Sequence, residues 1–200
     1  MKDKKPTRKL ATILAADCVG FSKLMDKNEE LTIQNIKKCR NLIDPVITEN
    51  GGRIFHTAGD SVIAEFNSVV DSVNAAIEFQ KVLHERNENV PEDSRMVFRV
   101  GMHLDDVIIE GDNVYGSGVN VAARLEGLCE PGCILLSRTV HEKISKRIQV
   151  AIDSLGNAQL KNIEGDFEIY QISPILKNGI KPIDPTKLTT KSSPTESKIL

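Results

Sequence analysis

Apolar residues fill positions 10–16 (LATILAA) almost without a break, and the run stops at Asp17. A run of that length predicts a strand buried on both faces. Gly20 then marks a turn. Ile36, Arg40, Ile43 and Ile47 follow at helical spacing, and the glycines of ENGG (49–52) end that helix; Pro45 inside it predicts a kink or an early stop. Two short runs, 53–56 and 61–66, flank TAGD and predict a hairpin. A second helix is marked by Val69, Val73, Ala76 and Leu83, with Asp71 in its first turn, and the polar stretch 87–94 is a loop. Strands are expected at 96–103 and 107–110, with a turn at LDD (104–106). The glycine-rich loop GDNVYGSG (111–118) leads into a third helix, VNVAARLEGL. After the turn EPGC come a short strand, ILL, and a short helix, SRTVHEKI, with Ser137 as its expected N-cap. Strand-like runs and turns alternate from there to Ile172. Hairpins interleaved with helices predict an α+β class with an antiparallel-rich sheet.

Composition narrows the function. The chain has 200 residues, enough for one domain with tails, and 40% of them are apolar. A formal charge of −2 predicts neither a nucleic-acid nor an anionic-membrane surface. No apolar run approaches the length of a membrane span, and the basic start MKDKKPTRKL has no signal-peptide core behind it. Cys18, Cys39, Cys129 and Cys133 form no paired CxxC pattern, which reads as reduced thiols in a cytoplasm. The expected division is a flexible N-terminus (1–8), one domain (9–172) and a flexible tail (173–200) rich in Pro, Ser, Thr and Lys. No sensor domain is expected within the chain.

Two aspartates suggest chemistry. Asp17 ends a buried strand, and Asp60 sits in the hairpin turn HTAGDSV. An aspartate in a glycine-containing turn is ordinarily turn chemistry. If the two strands are neighbours, however, both carboxylates reach one sheet edge and offer the hard oxygen ligands that Mg²⁺ takes alongside water and phosphate. Asn120 and Arg124, four residues apart, share a face of the third helix. That face is either a solvated polar surface or a phosphate-directed pair, since arginine's planar fork matches phosphate oxygens.

Taken together, ILAADCVGFSKLM, GGRIFHTAGDSVIAEF, FRVGMHL, NVYGSGVNVAARLEGL and LKNIEG make the chain resemble the class III adenylyl/guanylyl cyclase catalytic domain, of the bacterial type, over about residues 8–172. The resemblance implies a ferredoxin-like, palm-type fold. It implies that Asp17 and Asp60 bind two Mg²⁺ or Mn²⁺ ions per site, with the Cys18 backbone contributing. The loop Cys18, Val19, Gly20, Phe21 and Ser22 would wrap the triphosphate with its N–H groups, and Lys161 would contact the polyphosphate. Asn120 would orient the ribose and Arg124 would stabilise charge on the α-phosphate. The implied reaction converts a nucleoside triphosphate, ATP in the first reading, to the cyclic 3′,5′-monophosphate and pyrophosphate. It would run at sites shared across a homodimer.

The sequence departs from that pattern where relatives read the base. His56 and Asn113 stand at those positions, with Asp112 adjacent to the second. Each can donate and accept, so weak or altered base selectivity is expected. Cys18 replaces a usual aliphatic residue, which makes its thiol a candidate for thiol reagents. Three readings follow: an active cyclase, a non-catalytic nucleotide-binding or dimerisation module of the same fold, and a ferredoxin-like nucleic-acid-binding domain. The slightly acidic charge and the scarcity of aromatics oppose the third.

Overall fold

Residues 6–175 are described by a computed structural model; the outer parts of both expected flexible segments, 1–5 and 176–200, lie outside the described residues. The strands are β1 (Thr7–Cys18), β2 (Gly52–Ala58), β3 (Ser61–Phe66), β4 (Phe98–Glu110), β5 (Asn113–Tyr115), β6 (Ile134–Ser137), β7 (Asp153–Gln159) and β8 (Asp166–Ile172). They form one sheet in the order β2-β3-β1-β4-β6-β8-β7, with β5 paired to β4. Only the β4–β6 pairing is parallel among the described strands. The helices are α1 (Phe21–Lys27), α2 (Glu29–Glu49), α3 (Val69–Glu88), α4 (Ser117–Leu128) and α5 (Arg138–Ile144). The α+β, antiparallel-rich architecture is the one expected.

Alternation along the two central strands sorts the helices onto two faces. Leu14, Ala16 and Cys18 of β1 and Phe98, Val100, Met102 and Leu104 of β4 share a core with residues of α2, α3 and α5. The opposite parity, Ala11, Ile13 and Ala15 with Val107, packs under Ala122 of α4. Asp17 and Arg99 therefore belong to the α4 face, and they are register partners on β1 and β4.

Local signals explain most element ends. Asn28 caps α2 by accepting from the Leu31 N–H at 3.0 Å, and Ser68 caps α3 through the Asp71 N–H at 3.2 Å. Pro45 neither ends nor shortens α2, which runs on to Glu49. Pro45 and Asn41 both lie on the exposed side, where a carbonyl left without its helical N–H is tolerated because solvent can reach it.

Four expectations need correction. The LDD turn does not exist: β4 is continuous through Leu104, Asp105 and Asp106 because β1 pairs with it from Thr7↔Ile109 to Cys18↔Phe98. Twelve consecutive pairings outweigh the poor strand propensity of two aspartates whose side chains are not buried. β1 begins at Thr7, inside the segment expected to be flexible. The stretch after Gly20 is a short helix, α1, rather than a simple turn. Ser137 holds the N-cap position of α5 but makes no capping bond; its Oγ lies 2.9 Å from His103 Nδ1 and 3.0 Å from Thr139 Oγ1.

Two glycines let α4 lie close on β4. A Cβ at Gly101 would overlap the Glu126 backbone nitrogen and the Ala122 carbonyl oxygen. A Cβ at Gly118 would come within 2.7 Å of Asp105 Cβ. Asp105 also accepts a 3.0 Å bond from the Ser117 hydroxyl at the start of the helix. The axis of α4 is thus fixed against β4 near both of its ends.

Candidate active site

At the end of β1 the two aspartates meet, as the sequence suggested. β3 pairs with β1 up to Ala16↔Val62, which carries the β2–β3 turn past the end of the strand and sets Asp60 beside Asp17. The Cys18 N–H donates to Asp60 Oδ2 at 3.0 Å. Val19 pairs with Val97 of the chain before β4 through a 2.8 Å bond, so backbone alternation turns the N–H and C=O of Cys18 towards the Asp60 turn. Burial pushes the Asp60 carboxyl up to about 6; hydrogen bonding to Asp17 and its like charge add to this, against the Cys18 N–H, which favours the ionised form.

A third carboxylate lies nearby. Arg99 Nη2 is 3.4 Å from Asp17 Oδ2 and 2.9 Å from Glu126 Oε1 on α4. The Glu126 contact is an ion pair rather than an aligned hydrogen bond. Burial pushes Glu126 up to about 7; Arg99 opposes that rise, and the Asp17 and Asp60 charges reinforce it. Two carboxylates thus share a single guanidinium, and a third, Asp60, lies beside Asp17. Such a cluster lacks positive charge, and a bound cation would supply it.

The donor set fits Mg²⁺ or Mn²⁺. Two adjacent hard oxygen ligands and a strand-end carbonyl leave the remaining coordination to water and phosphate, which is how Mg²⁺ is held. Among the described residues no group of three or more His, Cys, Asp and Glu side chains has the arrangement of an all-protein metal cage.

The residues expected to form the phosphate loop follow directly. Gly20 adopts φ 70° and caps α1, whose first residues are Phe21 and Ser22. Val19, Gly20, Phe21 and Ser22 therefore curve around the β1 end that bears Asp17. The Cys18 side chain points the other way, into the core. Its thiol is 2% exposed, and burial with the Asp60 charge pushes it up to about 12. That corrects the expectation of a reagent-sensitive thiol: the reactive form is the thiolate, which this position disfavours.

Asn120 and Arg124 stand side by side on the exposed face of α4, and neither side chain has a hydrogen bond or ion pair among the described residues. The structure does not join them to the aspartates within the chain. Lys161, also exposed, follows Leu160, which packs in the same cluster as Val121 and Leu125 of α4. The three cationic and polar candidates are thus carried by α4 and the loop packed beside it.

His56 and Asn113, 57 positions apart in sequence, line one cavity of about 280 Å³ with Phe55, Ile63, Val114, Tyr115 and Val119. A bulge between Ile54 and His56 shifts the β2–β3 register and re-aims the histidine. Arg53 holds the other wall by donating to the Asp112 carbonyl at 2.8 Å. Apolar walls with two polar side chains at the mouth suit a flat heterocycle. Arg99 and Glu126 were not foreseen; the signal available was the strand pairing that sets FRVGMHL against the strand ending in Asp17.

Comparison with known proteins agrees with this fold. Residues 4–174 match the model of the adenylate and guanylate cyclase catalytic domain. A putative adenylate cyclase 3 of Rhizobium meliloti is 38% identical over 168 residues, 84% of this chain and 29% of that protein. A serine/threonine-protein kinase, pkn2, of Myxococcus xanthus is 23% identical over 80% of this chain and 19% of its own length. The chain thus spans less than a third of either relative. Among solved structures, an adenylate/guanylate cyclase/hydrolase from Silicibacter pomeroyi superposes with a TM-score of 0.80 at 37% identity, covering 85% of this chain and 99% of that one. The adenylyl cyclase CyaB from P. aeruginosa shares the fold, with a TM-score of 0.75 at 20% identity over 90% of this chain and all of that one.

Proposed function

The chain belongs to the adenylate and guanylate cyclase catalytic domain family, and from that premise we propose that it converts ATP to the cyclic 3′,5′-monophosphate and pyrophosphate at two sites shared across a homodimer. The observation that carries this reading is the Asp17–Asp60 pair, two carboxylates held together at a strand end beside the Cys18 N–H.

In the proposed reaction the ribose 3′-oxygen bonds to the α-phosphorus and its proton leaves. The bond to the bridging oxygen of the β-phosphate breaks, and pyrophosphate departs with that oxygen. Such transfers depend on positioning and charge stabilisation more than on a nucleophilic side chain. Asp17, Asp60 and the Cys18 carbonyl would hold two Mg²⁺ or Mn²⁺ ions, which when bound supply an acidified 3′-hydroxyl and neutralised phosphate charge. Backbone groups of Val19, Gly20, Phe21 and Ser22 cradle the β- and γ-phosphates, with Lys161 reaching them from the second protomer. Asn120 orients the ribose and Arg124 faces the α-phosphate as charge builds there. His56 and Asn113 hold the base.

What one protomer does not bring together supports the homodimer. Asn120 and Arg124 are exposed on α4, and neither side chain pairs with the aspartates of its own chain. Among the described helices α4 alone covers its face of the sheet, beside a cavity rimmed by the 49%-exposed Tyr115. A two-fold partner would bring its Asn120 and Arg124 to this Asp17 and Asp60, and the reciprocal site would form at the same time. No described helix is long and apolar enough to cross a membrane, and four buried free thiols fit a reducing cytoplasm. A single domain running from β1, which starts at Thr7, to β8, which ends at Ile172, is part of the same proposal.

Product formation tests the function. Purified protein is incubated with Mg²⁺ or Mn²⁺ and each of ATP, GTP, CTP and UTP, beside Asp60→Ala. Cyclic AMP formed by the wild type and lost in the variant supports the reading. Absence of any cyclic product at micromolar protein contradicts it and favours the non-catalytic module.

A further inference from the structure

Arg99 is the only guanidinium in contact with the aspartate pair among the described residues, and its position is divided between two carboxylates. The same nitrogen, Nη2, lies 2.9 Å from Glu126 Oε1 as an ion pair and donates a long hydrogen bond of 3.4 Å to Asp17 Oδ2. Nη1 reaches the Gly127 carbonyl at 3.4 Å. Nε is buried and has no hydrogen-bond partner. An arginine facing one carboxylate normally offers two parallel N–H groups as a fork. Here neither carboxylate receives that fork.

We propose that Glu126 is a positioning residue for the metal site: it draws the Arg99 guanidinium off Asp17 and so keeps that carboxylate open to a divalent cation. The inference rests on the reading of Asp17 as a metal ligand. Asp17 and Arg99 are register partners on adjacent strands, so their side chains meet without any backbone movement. Glu126 lies on the last part of α4, which Gly101 holds directly against β4, so the competing carboxylate stays in place. With that charge removed, the unpartnered Nε and the released Nη2 turn together onto Asp17. A cation must then displace a forked ion pair in place of a single long contact.

The test measures metal binding apart from turnover. Mn²⁺ alone is titrated into the full chain, and the free-ion electron paramagnetic resonance signal is followed for wild type, Asp60→Ala, Glu126→Gln, Arg99→Gln and the double variant Arg99→Gln/Glu126→Gln. Glutamine matches glutamate in shape, and thermal melts in chelator confirm that each variant folds. The expected result is about tenfold weaker Mn²⁺ binding in Glu126→Gln, at the lower end for loss of an outer partner of a metal ligand. In the Arg99→Gln background the same substitution should cost nothing, because the competitor is gone. Wild-type affinity in Glu126→Gln overturns the proposal. An equal loss in both backgrounds also overturns it, since Glu126 would then act through its charge alone. If wild type and Asp60→Ala bind Mn²⁺ alike, the metal-site reading itself fails and the proposal with it.

Discussion

The Cys18 N–H donates to Asp60 Oδ2 at 3.0 Å, across 42 residues of sequence. This bond fixes a hairpin turn to the end of the central strand and brings two carboxylates together. In the metal-free protein that proximity is unfavourable. Asp60 has a folded-state pKa of about 6 against 3.8 for its ordinary value, mainly from burial and then from Asp17. Its contribution to stability is therefore fully present below about pH 4 and is lost as pH rises through 6.

Asp60→Asn should accordingly be more stable than wild type in chelator at pH 8, and equal to it at pH 3.5. Asparagine keeps an acceptor for the Cys18 N–H and removes the charge. Because Asp60 is partly exposed, solvent screening reduces the effect to about 1 kcal/mol, or ~2–4 °C in Tm. Melting curves in EDTA at the two pH values check the sign. The same variant should have no cyclase activity with Mn²⁺ present.

Gly101→Ala should damage both stability and activity. Its Cβ meets backbone atoms of Ala122 and Glu126, which cannot turn aside as a flexible side chain would. The helix that carries Asn120 and Arg124 must lift, at a cost of about 1–3 kcal/mol or more. Chemical denaturation reads the stability, and a kcat loss larger than the change in folded fraction reads the displacement of α4.

Arg124→Ala should lower kcat by about 10²–10³ with little change in KM, as expected for a group that acts on charge developing in the transition state. Asn120→Ala should behave similarly. A rise in KM at constant kcat would instead mark Arg124 as a uniform binding contact. Steady-state kinetics at saturating Mn²⁺ separates the two.

Much of the candidate site is legible because its parts are local signals: an apolar run broken by Asp17, a glycine turn holding Asp60, and an exposed helix face with Asn120 and Arg124. The resemblance added the order in which these occur. The invisible part is non-local. Arg99 and Glu126 are 27 positions apart in sequence, and their meeting depends on the close approach at Gly101. Asp105 and Asp106 read as a turn because aspartate disfavours strands; the long pairing with β1 overrode that local preference. His56 and Asn113 share a cavity partly because a bulge re-aims the histidine, and a bulge leaves no clear mark in a single sequence.

Base selectivity should be modest. His56 and Asn113 would each offer the base a donor and an acceptor, so neither ATP nor GTP would leave a polar group of the cavity unpaired. Discrimination between the two in kcat/KM should stay below about 10², well short of the 10⁴–10⁵ reached when a polar site rejects a mismatched partner. Competition between the two triphosphates at equal concentration measures it. A ratio above about 10⁴ would mean that the cavity presents a fixed hydrogen-bonding pattern.

The most direct test of the shared site is complementation. Asp60→Ala lacks one half of each site and Arg124→Ala the other, and each should be inactive or nearly so alone. Mixed in equal amounts and allowed to exchange, half of the dimers are hybrids, and each hybrid holds one intact site of two. The account predicts recovery of roughly a quarter of wild-type activity per unit of protein. Activity no higher than that of the separate variants, with exchange confirmed by differently tagged chains, would contradict a site built from two protomers.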